Sequence, residues 1–220
     1  MNYESTHKTE ILPGSDGEHA MQREFNTERK AASFYNKQVL NELSPLMRDF
    51  IAEQEMVFVS TADSKGACDC TFRAGDAGFI TSINNKNLIY PEYKGNGVMA
   101  SLGNISENNN ISFLFIDFFD SKIGLHVNGK ATIVSNDNIN AYLGEHGYTQ
   151  EEYGKQSNIA CYVAVEVEEA YIHCSKNIPL LKKANSASRP NANKSRFSGG
   201  DAFKAKQYNR PWIDAVNAEN

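Results

Sequence analysis

The feature that most constrains this chain is a succession of short apolar segments joined by turn-forming residues with almost no helix between them. Residues 56–62 read as a strand, and Asp63-Ser64-Lys65-Gly66 reads as the turn that closes it. Residues 67–73 then alternate strictly. Cys68, Cys70 and Phe72 fall on one face; Asp69, Thr71 and Arg73 fall on the other. Residues 79–83 and 87–90 follow, each bounded by turn residues. Residues 111–117 are apolar on both faces, as a central strand would be, and residues 124–133 alternate again. Residues 161–167 add one more strand, with Cys161, Val163, Val165 and Val167 inward. Six or seven short strands in this pattern predict a mainly β chain folded as an antiparallel barrel, because a parallel sheet would need a helix in each crossover.

Helices are expected at the margins. From about Thr27, Ala32, Tyr35, Val39 and Leu43 recur at helical spacing. Ser44 as N-cap and Pro45 at the first helical position restart a helix that ends near Glu55, with Leu46, Met47, Phe50 and Ile51 as its buried face. Residues 139–155 read as helical with a break at Gly147, and Tyr142, Tyr148 and Tyr153 as their packing residues. The expected organisation is a flexible arm over residues 1–26, the barrel with its leading helices over 27–176, and an extension over 177–220. Between Lys182 and Arg210 that extension carries eight basic residues against one acidic residue, Asp201. Such a segment is either a solvated tail or an arm that brings positive charge to an anionic ligand, including one on a neighbouring subunit. Trp212 should find cover, since a lone tryptophan usually does.

Charge and cysteine usage narrow the function classes. A formal net charge of −5 argues against nucleic-acid binding. No apolar run reaches the length of a membrane span, and residues 1–20 lack the apolar core of a secretory signal. Four cysteines in 220 residues do not make a disulfide framework, so a cytoplasmic protein with reduced thiols is expected. Cys68 and Cys70 read as a small buried apolar pair. No catalytic triad, paired carboxylates or metal-ligand spacing stands out, so no metal is expected.

The segment from Tyr90 to Ile105 is the best candidate for a ligand. Gly95-Asn96-Gly97 forms a turn that feeds a helix over residues 98–107, which aims free backbone N–H groups and the positive end of the helix dipole at one place. Lys94, Asn96 and Ser101 add side-chain donors, so an anion such as phosphate is a suitable guest.

Three groups of residues carry a resemblance. Phe58-Val59-Ser60-Thr61-Ala62-Asp63 is followed by Cys70-Thr71-Phe72-Arg73-Ala74-Gly75 and Gly78-Phe79-Ile80. Tyr90-Pro91-Glu92-Tyr93-Lys94-Gly95-Asn96 leads to Ser101-Leu102-Gly103-Asn104-Ile105. Leu114-Phe115-Ile116-Asp117-Phe118 precedes Leu125-His126-Val127-Asn128-Gly129-Lys130-Ala131. In order and spacing they resemble the pyridoxamine 5'-phosphate oxidase-like family of flavin-binding split barrels, over about two thirds of the chain. The run from Glu168 to Lys176, with His173-Cys174, looks like a branch in which a tail follows the barrel. The resemblance implies a split antiparallel β-barrel and a homodimer that holds FMN in a cleft between subunits. It places Asp69, Thr71 and Arg73 toward the flavin phosphate and ring, Tyr90 and Pro91 beside the ribityl chain, Asn96 and Ser101 at the phosphate, and His126 on a strand facing the flavin; Lys94 joins these cofactor-binding candidates from the loop reading above. The implied activity is that of an FMN-dependent oxidoreductase acting on a small molecule. The alternatives are a flavin-binding module without turnover, or a split barrel that holds haem or a deazaflavin. Where the oxidase itself has a run of basic residues, this chain has Val98-Met99-Ala100. The oxidase's pyridoxal phosphate-binding Arg and His near the C-terminus have no clear counterpart. These departures weigh against pyridoxamine phosphate as the substrate more than against FMN.

Overall fold

A computed structural model describes residues 12–148, 158–184, 201–210 and 212. The chain divides into two compact units, residues 1–180 and 181–220. Among the described residues the first unit holds helices α1 (Asp16–Glu24), α2 (Glu28–Gln38), α3 (Pro45–Ala52), α4 (Ala100–Glu107) and α5 (Ile139–Glu145). Its strands are β1 (Val39–Leu40), β2 (Met56–Ala62), β3 (Cys68–Ala74), β4 (Thr81–Ser82), β5 (Asn87–Tyr93), β6 (Asn110–Ile116), β7 (Gly124–Val134) and β8 (Ile159–His173). The fold is a split antiparallel β-barrel with flanking helices. Its strand order is β3-β2-β6-β7-β8-β5-β4, and β1 pairs with β8.

Local chemistry explains the path. Asp63 closes the β2–β3 hairpin: its N–H donates to the Ala67 carbonyl at 3.1 Å and its carboxylate accepts the Lys65 and Ala67 N–H groups. Gly66 takes φ +83°, which the turn requires and a side chain would resist. Alternation then directs Val57, Val59, Ile111, Phe113, Phe115, Leu125, Val127, Val163, Val165 and Val167 inward around Tyr90. A second core lies on the other side of β5 and β8, where α5 brings Ile139 and Leu143 against Ile89, Ile159 and Tyr162. Leu88 through Glu92 are therefore buried on both faces of β5.

The outer face of the barrel shows a row that register alone creates. Phe72, Phe58, Leu114, His126 and Tyr171 are successive cross-strand partners from β3 to β8. Cys70, Ser60, Ser112, Asn128 and Glu169 form the next row. The alternation of β8 breaks at a bulge opposite Asn128 and Gly129. There a Cβ on Gly129 would sit 2.1 Å from the Glu166 carbonyl oxygen, so only glycine fits.

Several expectations need correction. Cys68 and Cys70 are exposed rather than buried, because they belong to the outer row. Residues 79–83 form strand only at Thr81–Ser82. The helix from Thr27 ends at Gln38, and Val39 passes into a short strand on β8. No residue of α2 is buried, Ala32 included. Ser44 does cap α3, accepting the Met47 N–H at 3.2 Å, and Ile51 is buried; Leu46, however, is 80% exposed. The expected flexible N-terminal arm contains α1, capped by Ser15, with no buried residue. Residues 149–157, including Tyr153, lie outside the described residues, as do residues 1–11 and most of the basic extension. In the second unit, Asp201 accepts the Ala205 N–H and opens a short 3-10 turn; Trp212 is exposed rather than covered.

Candidate functional site

The site lies where the barrel fails to close. β3 ends the strand path on one side, and β5 lies next to the other end. Even so, Arg73 Nη2 on β3 and Glu92 Oε2 on β5 are 2.9 Å apart. The sheet has curled until its ends almost meet, and this ion pair spans the seam.

A cavity of ≈ 360 Å³ surrounds the pair. β3 supplies Asp69, Thr71 and Arg73; β5 supplies Glu92 and Tyr93; the connection to α4 and its first turn supply Gly95 to Leu102. Register explains the β3 contribution. Arg73, Thr71 and Asp69 stand opposite Val57, Val59 and Thr61, on the core side of the sheet. Among the described residues no further strand pairs with β3 beyond β2, and the polar residues on this face line the seam cavity.

Arg73 is the hub. Its Nη1 donates to Thr71 Oγ1 at 3.1 Å, and its Nη2 donates to Glu92 Oε2 at 2.9 Å and to Ser101 Oγ at 3.4 Å. Its Nε is buried and has no hydrogen-bond partner among the described residues. Ser101 and Glu92 are 4% and 8% exposed, although each has a polar side chain. The loop is held by its own backbone devices. Gly97 has φ +83°, Met99 takes the left-handed conformation at φ 55°, and Asn96 Oδ1 accepts the Val98 N–H at 3.0 Å. Met99, the N-cap residue of α4, makes no side-chain cap hydrogen bond, and Ala100, Ser101 and Leu102 of the first turn line the cavity. Asn104 pins the helix to β2 through Thr61 Oγ1 at 3.0 Å, and Ile105 is buried beneath it.

Of the residues singled out in the sequence, Asp69, Thr71, Arg73, Asn96 and Ser101 come together around this cavity. Tyr90 and Pro91 are buried next to Glu92 without lining it. The Tyr90 ring packs edge-on against Phe113, and burial, helped by the charge of Glu92, pushes its hydroxyl well above the ordinary tyrosine range. Lys94 is exposed, outside the lining. His126 lies on the outer face. Its Nε2 is 2.9 Å from His173 Nδ1, and its ring stacks on Tyr171 at 4.7 Å. Burial first, and the charge of His173 second, hold His126 below the ordinary histidine value.

Glu92 and Tyr93 were not singled out. The signal for Glu92 was available: it stands two residues beyond Tyr90, on the same inward face of a strand, where a carboxylate needs a partner.

The charged side chains of the cavity are thus one guanidinium and two carboxylates, those of Asp69 and Glu92. Arg73, Ser101 and the first turn of α4 bring hydrogen-bond donors to this cavity. Among the described residues there is no group of three or more His, Cys, Asp or Glu side chains able to hold a metal ion, and no helix is long and apolar enough to cross a membrane.

A family model described as pyridoxamine 5'-phosphate oxidase matches residues 43–174. The chain belongs to this family. The match begins just before α3 and ends just after β8, so it takes in β2 to β8 and the seam. No curated protein matches the chain. Among solved structures, a putative pyridoxamine 5'-phosphate oxidase from Lactobacillus delbrueckii is 17% identical, covering 61% of this chain and 98% of that one, with a TM-score of 0.45. HupZ of Group A Streptococcus is 20% identical over 59% and 92%, with a TM-score of 0.43. An FMN-binding protein from Syntrophomonas wolfei is 14% identical over 72% and 97%, with a TM-score of 0.40.

Proposed function

We propose that the seam cavity is the phosphate end of an FMN site and that the chain acts, as a homodimer, as an FMN-dependent oxidoreductase on a small molecule. The observation that carries this reading is the gathering of three kinds of donor around one cavity: the Arg73 guanidinium, the Ser101 hydroxyl, and the first turn of α4, whose N-cap residue makes no side-chain cap. Helix starts of this kind are ready-made phosphate sites, and the cavity falls in the size range of small-molecule sites, roughly 300–1,000 Å³. Membership of the family supports the same reading.

The flavin, when bound, supplies the electron transfer. The chain's residues bind and orient it. Arg73, Ser101 and the α4 backbone hold the phosphate, while Asp69 and Thr71 continue along β3 toward the rest of the ligand. Asn96 keeps the loop in shape. Tyr90 and Pro91 stiffen the wall from below, and Lys94 adds positive charge at the rim. His126 enters this reading only through a second copy of the chain, since it lies on the outer face. The outer row supports such a copy: Phe72 is 51% exposed, and Phe58 and Leu114 beside it are only partly covered.

The test is direct. Purified protein should carry a flavin spectrum and release a species with the mass of FMN, and a nicotinamide cofactor should reduce the flavin under anaerobic conditions. Arg73→Gln should weaken FMN by about tenfold or more, the loss expected for a charge-assisted contact, and leave riboflavin binding unchanged. A colourless protein that takes up no added FMN would sink the reading. Bound FMN that no reductant and substrate can cycle would reduce it to a flavin-binding module without turnover. A haem reading would rest on the His126–His173 pair, and a Soret band in the same spectrum would select it.

A further inference from the structure

Glu92 stands where a phosphate site should least tolerate a carboxylate. It lines the cavity, is 8% exposed, and lies 2.9 Å from the Arg73 nitrogen that also reaches Ser101. Asp69 adds a second negative charge to the same lining. A phosphate drawn to Arg73 therefore meets a guanidinium that is already paired across the seam. Buried ion pairs of this sort are costly to break from one side, because the charge left behind loses its partner.

We propose that Glu92 is the residue that sets the charge selectivity of this site. It holds Arg73 in place across the seam when no ligand is present, and it works against the phosphate when one arrives. The site then binds a phosphorylated flavin only moderately better than a neutral one, through backbone N–H groups and Ser101 as much as through the guanidinium. Specificity is a difference between affinities, and a fixed like charge beside the ligand is one way to tune it. This inference rests on the FMN reading above.

The experiment compares FMN with riboflavin, which differs from it only by the phosphate. Fluorescence titrations of apo-protein with each ligand are run for the wild type, Glu92→Gln and Glu92→Asp. Glutamine keeps the shape of the side chain and can still accept a hydrogen bond from Arg73, but it carries no charge. It should bind FMN about tenfold tighter, the size of one charge–charge interaction in a partly wet site, with riboflavin affinity unchanged. Aspartate retains the charge and should keep the FMN-to-riboflavin ratio near that of the wild type. A ratio in Glu92→Gln that is equal to or below the wild-type ratio overturns the proposal and leaves Glu92 as a structural partner of Arg73. If the wild type binds riboflavin and FMN equally badly, the FMN reading itself fails and this inference falls with it. Thermal melts without ligand check that each variant is folded. Should Glu92→Gln fail that check, Glu92→Ser, small enough to admit water beside Arg73, is read in the same way.

Discussion

His126, in contact with His173, gives the protein a pH dependence that is separate from its seam. Their facing nitrogens are 2.9 Å apart, so in this contact one ring nitrogen donates and the other accepts. His126 is held below its ordinary value by burial and by His173. A histidine depressed in the folded state binds its proton more readily when unfolded. Its contribution to stability is therefore complete above the unfolded value near 6.5 and is lost as pH falls from there through the folded value. Urea midpoints measured at pH 7.5 and 5.5 should fall toward the acid side for the wild type, and the drop should shrink in His126→Gln. An equal drop in both proteins would place the titrating group elsewhere. Residue roles were unevenly legible in the sequence. The face that carries Asp69, Thr71 and Arg73 follows from strict alternation and needs no tertiary information. Glu92 acquires its meaning only from Arg73, nineteen positions away on a strand that is no neighbour of its own, and nothing local announces that contact.

At the scale of elements, the β7–β8 bulge makes the sharpest claim. Gly129 faces the Glu166 backbone so closely that a single methyl group has nowhere to go. Gly129→Ala should cost about 2–4 kcal/mol or leave the protein insoluble, the range expected when added volume meets backbone that cannot yield. Denaturant melts would measure it, and a cost below about 0.5 kcal/mol would show that the bulge can relax. The same bulge explains why β8 is longer than its pattern suggests. Val163, Val165 and Val167 alternate cleanly, and then Glu168-Glu169 shifts the period by one residue. The strand runs on to His173, but a reader following period two loses it at Val167. The β2–β3 hairpin was legible because turn chemistry and alternation agree there. The face of Cys68 and Cys70 was misread because apolar residues on a strand argue for burial only when something covers them.

For the whole molecule, the outer row is the feature that asks for a second copy. Phe72→Asp places a charge at the β3 end of the outer row, at a position that is half exposed in the single chain. It should leave the melting behaviour of the monomer nearly unchanged, shift the mass found by light scattering from dimer to monomer, and weaken FMN binding in parallel. A dimer that persists with full FMN affinity would move the interface to another face. The barrel was legible as a whole because many short strands with tight turns leave few alternatives, and the family because three motifs recur in the right order. The path around the barrel was not, since the sequence does not say which strands end up at the seam.

That seam has a second consequence. Among the described residues β3 is an edge strand, with one row of backbone N–H and C=O groups that no neighbouring strand takes up. Exposed edges invite other chains to add a strand, and charged residues pointing inward from the edge are a common defence. Asp69 and Arg73 are such residues. The side chains proposed to receive the ligand therefore also protect this edge against strand addition by other chains, and replacing both with apolar residues would remove the proposed binding site and open a route to aggregation in the same step.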